Sequence, residues 1–408
     1  MTSRKAGSGG PLVRAVFSRE GDRVTTLELF FDLAFVFAFT QLSRLMAQQH
    51  DALGILQGLV ILALLWWSWT SYGWLTNVAH ADQGVVRVAM IIGMTAMFVA
   101  GIVVLEAYDD RPGGLFGPIV FVAAYLVARV NHAIVFVWLT TPQLRRRTMI
   151  TMALSIVPAG GLLVAGALLG SPWQLCFTIA AVVIEPVVSS RSSAGIAWPL
   201  RSRAHFTERH GLIVILALGE SILGVGTGAS AEPISVGILV GVVLAMLICI
   251  ALWWAYFARL SGDAEHALHT ISAGERGRAA TVAYTYLHLM LVSGVVLAAL
   301  GQEVALAHVE STESLGFFGS AALCGGVACY LAGTAAFARR LLGTWNRTRL
   351  TIATILVALA PLIGLLPPLS ALGGVAVVFV ALFTVERSVC ATGGEGRSQP
   401  VSAPFGKD

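Results

Sequence analysis

Charge is what this chain has least of. Only 12% of its 408 residues are Asp, Glu, Lys or Arg, against about 25% in a typical soluble domain. Too few polar side chains remain to solvate a globular surface, because 57% of the residues are hydrophobic and the mean hydropathy is +0.81. The composition therefore describes an integral membrane protein. Cysteine is scarce as well: four of the five lie inside apolar runs and none forms a CxxC pair. That excludes a disulfide framework and a zinc site of the usual spacing, and no histidine pair stands at metal-ligand spacing. No metal or cofactor is expected. The net charge of +4 sits in loops beside apolar runs, so no nucleic-acid partner is inferred. Residues 1–23 carry Arg4, Lys5, Arg14, Arg19 and Arg23 but no apolar stretch ahead of a cleavage site, so no secretory leader is expected.

What the chain has is long apolar runs. Segments of about 20 such residues suffice to cross a bilayer as helices, and about twelve are legible. The first half gives 25–46, 53–77, 85–106, 115–140, 149–170 and 172–189; the second gives 209–229, 234–258, 279–302, 315–338, 349–367 and 369–389. Basic residues gather at the N-terminus, at Arg145–Arg147, at Arg201/Arg203/Arg209, at Arg276/Arg278, at Arg339/Arg340/Arg347/Arg349 and in the tail. The alternate loops hold Arg111 among Asp109, Asp110, Glu232, Glu310 and Glu313. By the positive-inside rule both termini are expected to be cytoplasmic.

The halves resemble each other. LWWSW at 65–69 recurs as LWWAY at 252–256, MFVAGIVV at 97–104 as MLVSGVVL at 290–297, and AYL at 124–126 as CYL at 329–331. Glu185 and Glu386 fall alike at the ends of the sixth and twelfth spans. The matches keep their order, which points to a parallel duplication of six helices. The expected fold class is an all-α polytopic membrane protein of two such repeats. Its organisation is a basic segment (1–23), a first repeat (24–190), a linker (191–207), a second repeat (208–390) and a disordered tail (391–408).

Ionisable residues inside membrane spans are costly, about 2.5–3.5 kcal/mol each on insertion scales, and are functional by default. The run VTTLELFFDLAFVFAF places Glu28 and Asp32 one turn apart on one helix face. Counted from the basic ends, Asp32, Trp66, Trp67, Arg129, His132, Glu220, Tyr256 and His288 are expected to share a layer roughly 10–16 Å deep. Arg129 reads as the only arginine deep in a span; it cannot shed its charge, and Asp32 or Glu220 is its expected partner. Glu28 and Glu208 read as nearer the surface, held by solvent or by helix N-terminal dipoles. Glu185 and Glu386 read as end-of-span residues near water. The alternatives are plain: the ion cluster can be structural, His132 and His288 can be packing residues, and Trp66, Trp67, Trp69 and Trp74 can be packing and interface belt. GVGTG at 224–228 follows no strand and reads as helix packing rather than a phosphate loop.

ELFFDLAFVFAFTQLS at 28–43 and ERHGLIVILALGESILGVG at 208–226 resemble the two signature segments of the bacterial low temperature requirement A family, and WxxYGWLTN with the preceding LWW at 65–77 fits as well. The resemblance covers roughly residues 20–390. It marks Glu28, Asp32, Thr40, Gln41, Glu208, Arg209, Glu220 and Ser221 as motif positions. His210 departs from the phenylalanine-like residue usual after the Glu-Arg pair. The resemblance implies a polytopic membrane protein tied by name to growth in the cold, and it supplies no substrate.

Function is then read from the polar layer. The first reading is a plasma-membrane secondary transporter of a small organic or amphiphilic solute, with Asp32 or Glu220 carrying a coupling proton. Its expected binding residues are Glu28, Asp32, Gln41, Trp66, Trp67, Arg129, His132, Glu208, Arg209, His210, Glu220 and His288. The second is an intramembrane enzyme in which Asp32 or Glu220 protonates a lipid or isoprenoid and tryptophans shelter the cation. A third is a sensor or scaffold. Membrane lipids are the expected partners besides the solute; oligomeric state is not legible.

Overall fold

The structure is a computed structural model describing residues 15–192, 200–230 and 233–395, without side chains at 192 and 387–395. Residues 1–14 of the basic segment, 193–199 of the linker, Glu232, and the tail from 396 onward lie outside the described residues. The described chain is helical, with a single isolated bridge, Phe17 to Ala79, as its only β pairing.

Local chemistry sets the helix ends. In α1 (Thr26–Gln49), Thr25 and Glu28 form a reciprocal capping box, which satisfies two backbone N–H groups at once. Asp51 caps α2 (Ala52–Val78). α3 (Gly84–Ile102), α4 (Gly117–Leu139), α5 (Pro142–Leu169) and α6 (Trp173–Ser192) complete the first half, α5 opening on proline, whose missing N–H costs nothing there. Ser202 caps α7 (Arg203–Ala229) and Ser235 caps α8 (Val236–Phe257). Two short helices, α9 (Leu260–Thr270) and α10 (Ala273–Ala280), lead through a wide turn of π-helix, Thr281–Leu287, into α11 (His288–Ala307). α12 (Gly316–Leu342) ends at Gly343 in the left-handed region, Asn346 caps α13 (Arg347–Ile363), and α14 (Pro368–Glu395) closes the described chain.

Among the described residues eleven helical segments are long and apolar enough to cross a membrane, so the protein is an all-helical multi-pass membrane protein. The expectation is about twelve spans; the remaining one corresponds to α13, at 17 residues the lower limit for crossing a bilayer. One difference concerns α7. Its cap at Ser202 starts the helix six residues ahead of the expected 209, so Arg209 lies inside the helix rather than at its mouth.

In the first half α1 packs on α2 and α3, α3 on α4, α4 on α2 and α5, and α6 on α5 and α2. In the second, α7 packs on α8 and α11, α11 on α12, α12 on α8 and α13, and α14 on α13 and α8. The halves meet where α1 lies along α7 and α11, and where α2 lies against both. Helices in lipid gain no hydrophobic drive toward each other, so close backbone approach matters. The α11–α12 pair shows it: a Cβ added to Gly294 would stand 2.6 Å from the backbone N of Tyr330.

Candidate functional site

Polar side chains line the seam between α1 and α7. His205 Nε2 lies 2.9 Å from Glu28 Oε1, Arg209 Nη1 lies 2.9 Å from the same oxygen, and Arg209 Nη2 donates to Asp32 Oδ1 at 3.0 Å. Trp69 of α2 donates its indole N–H to that same Asp32 oxygen at 2.7 Å. Both carboxylates and Arg209 are fully buried. The guanidinium also lies over the Trp69 and Phe31 rings, 5.5 and 5.7 Å from their centroids, close enough for cation–π attraction. Four charged or chargeable groups from two helices thus form one lock. Asp32 Oδ2 has no hydrogen-bond partner in it.

Three sequence expectations are corrected here. Arg129 is not the only deep arginine, since Arg209 is sealed in the interior. Glu28 is not solvated, because the capping box turns its carboxylate inward toward Arg209 and His205. The partner of Asp32 is Arg209 and not Arg129. Glu208 does lie near the surface, accepting from Val24 N at 3.2 Å and pairing with Arg23 at 3.7 Å.

Beside the lock stands an aromatic box. His210 packs among Trp69, Phe206, Tyr284 and His288 with ring centroids 4.4–5.4 Å apart. His288 bridges Tyr256 OH at 2.9 Å and the Ala283 carbonyl at 3.0 Å, and Trp66 donates to the Thr285 carbonyl at 2.6 Å. The box joins α2, α7, α8, the π turn and α11.

Arg129 belongs to a different group. Its Nε lies 3.3 Å from Glu185 Oε2 of α6, its Nη1 donates to Ser71 of α2 at 2.5 Å, and Tyr125 donates to Glu185 at 2.8 Å. Glu185 is 2% exposed, not near water. α6 continues to Ser192, so Glu185 lies two turns inside its end, which also brings it level with Arg129. Arg129, backed by Glu185, lines a crevice of about 860 Å³ between α2, α4, α5, α6 and the α10–π turn segment. Trp67, Trp74, Phe136 and Tyr286 give it aromatic walls; Ser71, Thr151, Ser155, Ser189, Thr281 and Thr285 give it hydroxyls. His132 lines it with both ring nitrogens unpartnered. α2 is a shared wall. Trp67, Ser71 and Trp74 face the crevice, while Trp69 and Gly73 face the lock, Gly73 lying against Arg209.

Glu220 joins neither group. It lies eleven residues beyond Arg209 on α7, about 16 Å along the axis, where it accepts from the Thr40 hydroxyl. The single layer expected from sequence is therefore three separate sites. The apolar run alone starts α7 at 209, six residues late, and so draws Glu220 toward the level of Asp32. Gln41 is buried near Glu220's end of α1, its Oε1 unpartnered. His205, Ser71, Tyr125 and Glu185 were missed as site residues. His205 and Arg209 repeat on α7 the i, i+4 spacing of Glu28 and Asp32 on α1, a signal present in the sequence.

A relative from Rhizobium meliloti (strain 1021), described as the uncharacterized protein RA0937, is 27% identical over 322 residues, covering 75% of each chain. No solved structure matches the chain. Residues 23–384 match the family described as Bacterial low temperature requirement A protein, and with that match covering most of its length the chain belongs to this family.

Proposed function

We propose that this protein is a secondary transporter of a small organic or amphiphilic solute in the plasma membrane, and that the crevice over Arg129 and Glu185 is its solute site. The observation that carries this reading is the crevice itself: about 860 Å³, walled by four helices of one half and by the α10–π turn segment of the other. Transporter sites form where two repeats meet, and non-helical or widened backbone within a membrane is tolerated where it lines a cavity. Aromatic walls and a ring of hydroxyls suit an amphiphile better than a bare ion. The Arg129–Glu185 pair is neutral as a unit, and it can trade its Ser71 bond for a polar group of the solute.

The two-repeat organisation, 24–190 and 208–390 joined by 191–207, is part of the proposal. Its support is the packing order, in which each neighbour relation within the first half recurs among the corresponding helices of the second. Basic residues gathered in alternate loops support cytoplasmic termini, with α13 counted as a crossing. The halves would rock about the α1–α7 seam, where the Glu28–Arg209–Asp32 lock holds one end and Glu220 the other. Asp32 already has a cation and an indole N–H, whereas Glu220 has a hydroxyl; Glu220 is the better placed carrier of a coupling proton. Acid catalysis on a lipid has less support, because Asp32 is fully buried and engaged by Arg209 and Trp69.

A test that needs no knowledge of the solute is cysteine accessibility. In a background with the five native cysteines replaced, Thr151→Cys and Ser155→Cys are expected to react with a membrane-impermeant maleimide from the cytoplasmic face, and more slowly from the opposite face. An imposed pH gradient should change the ratio of the two rates. Reaction from one face only, indifferent to the gradient, would describe a fixed pocket and remove the transporter reading.

A further inference from the structure

The far end of the α1–α7 seam holds a second acidic residue that the solute site does not use. One turn beyond Glu220, α7 presents Gly224 and then Gly228, and α11 lies directly on this bare face. A Cβ at Gly224 would stand 3.8 Å from both Cβ and Oε2 of Glu303, and one at Gly228 would stand 2.8 Å from the Glu303 carbonyl. The Glu303 carboxylate therefore lies along α7 roughly one turn, about 5 Å, from Glu220. The groups whose charge reaches Glu220 are Glu303 from α11 and Arg44 from α1, and Arg44 also reaches Glu303. α7 contributes no other charged residue within four positions of Glu220.

Buried hydroxyls complete the cluster. Thr40 donates to Glu220, and Ser43, one turn above Thr40 on the same face of α1, faces that carboxylate. The oxygens of Ser43 and Ser221, 2% and 0% exposed, have no hydrogen-bond partner, and neither does Gln41 Oε1 nearby. Unpartnered buried oxygens of this kind cost free energy unless something occupies the space between them. Two carboxylates facing one guanidinium leave one excess negative charge when all are ionised, and on Glu220, which is buried while Glu303 is half-buried, that charge is costly. The donors are all oxygens, which select hard cations over metals that prefer nitrogen or sulfur.

We propose that Glu220 and Glu303, with the hydroxyls of Thr40, Ser43 and Ser221, bind one monovalent cation, a proton or Na⁺, reached from the end of the bundle where Arg44 is exposed. The cation site stands on its own geometry; only its role as the coupling ion rests on the transporter reading.

The test uses the full-length protein in nanodiscs. Its thermal unfolding midpoint is followed against Na⁺, with choline as the replacement ion, and against pH from 5 to 8. If Na⁺ fills the site, the midpoint rises saturably with Na⁺ and the apparent affinity drops about tenfold or more, 1.4 kcal/mol or above, in both Glu220→Gln and Glu303→Gln. If a proton fills it, the folded protein holds one proton more than the unfolded chain, so the midpoint falls as pH rises, and the slope flattens in both variants while Na⁺ has no effect. Should the glutamine variants not fold, Ser43→Ala and Ser221→Ala are expected to shift the same Na⁺ affinity or pH slope. A midpoint indifferent to both ions, or a response unchanged in the variants, overturns the proposal. Cation binding without two-sided maleimide access would instead leave this site standing and remove the transporter reading.

Discussion

Two crevices occupy corresponding places in the two halves, and they differ in where the charge sits. The first lies over Arg129 and Glu185; the second, about 1180 Å³, is walled by α8, α9, α12, α13 and α14. Aligning LWWSW with LWWAY and AYL with CYL equates Trp67 with Trp254, Tyr125 with Tyr330, and Arg129 with Thr334. In each half an arginine neutralises the glutamate of the last helix, α6 or α14. In the first half the arginine comes from α4, and both partners are 2–3% exposed; in the second it comes from the first turn of α13, and Arg349 and Glu386 have side chains 11% and 23% exposed. The second half thus builds the same helix packing with a threonine at the deep position. A buried ion pair is weak grounds for stability, since desolvation consumes most of its attraction. A scaffold that folds with Thr334 has no structural need of Arg129. That argues for the deep arginine as a working part of the first crevice.

The largest effect is expected at the seam that both halves share. Arg209→Met leaves Glu28 and Asp32 buried with no arginine, a loss of about 3–5 kcal/mol by analogy with broken buried pairs. Its unfolding midpoint in detergent should be the lowest of any single variant, and adding Glu28→Gln with Asp32→Asn should recover most of the loss. A midpoint like wild type for Arg209→Met would mean that the lock contributes nothing to holding the halves together.

Next comes the exchange of the two crevices' chemistry. Arg129→Thr with Glu185→Gln gives the first half the deep threonine of the second and removes the unpaired charge that Arg129→Thr alone would leave. The double variant is expected to fold within about 1–2 kcal/mol of wild type, because both members of a costly pair leave together. It should nevertheless lose proton-coupled uptake in proteoliposomes, and Thr151→Cys in its background should no longer change its labelling ratio under a pH gradient. Retained uptake would break the comparison and return Arg129 to a structural role.

The sequence carried the topology further than the site. Long apolar runs and alternating basic loops are properties of single segments, so helices α1–α6 are legible to within a few residues, except that α5 starts at Pro142, seven residues ahead of the expected 149. α13 is shorter than its apolar run, which continues past the helix end at Ile363 toward Pro367 and Pro368. Pairings depend on the axial level of residues from distant segments, and an error of one turn at a helix start changes every partner. Ser202 as a cap moved Arg209 inward, and the continuation of α6 to Ser192 did the same for Glu185. The charges that had to be paired were visible; which carboxylate met which arginine was set by cap positions that hydropathy does not register.

A smaller effect is expected at the rim of the second crevice. Arg349 donates to both oxygens of Glu386 and to the Ala255 carbonyl, but the pair is partly exposed, and screened pairs contribute about 0–1 kcal/mol. Arg349→Met should therefore lower the midpoint less than Arg129→Met and leave uptake intact. Equal losses from the two methionine variants would show that burial does not distinguish the arginines.

The smallest change separates the equivalent tyrosines. Tyr125 donates to Glu185 at 2.8 Å, so Tyr125→Phe takes one hydrogen bond from a carboxylate that Arg129 still neutralises. Tyr330 donates to the Leu252 carbonyl at 2.8 Å, and Tyr330→Phe removes a bond of the same length from a neutral acceptor. Hydrogen bonds contribute about 0.5–1.5 kcal/mol, and those to charged groups about 1.5–3 kcal/mol, so the first variant should lose more stability. The functional contrast is sharper. Without the phenol, Glu185 draws more strongly on Arg129, which then has less freedom to leave Ser71 for a solute. Tyr125→Phe should raise the solute concentration needed for half-maximal uptake while Tyr330→Phe leaves it unchanged. If the two phenylalanine variants shift it equally, the tyrosines serve packing alone and the crevices differ in nothing but the position of an arginine.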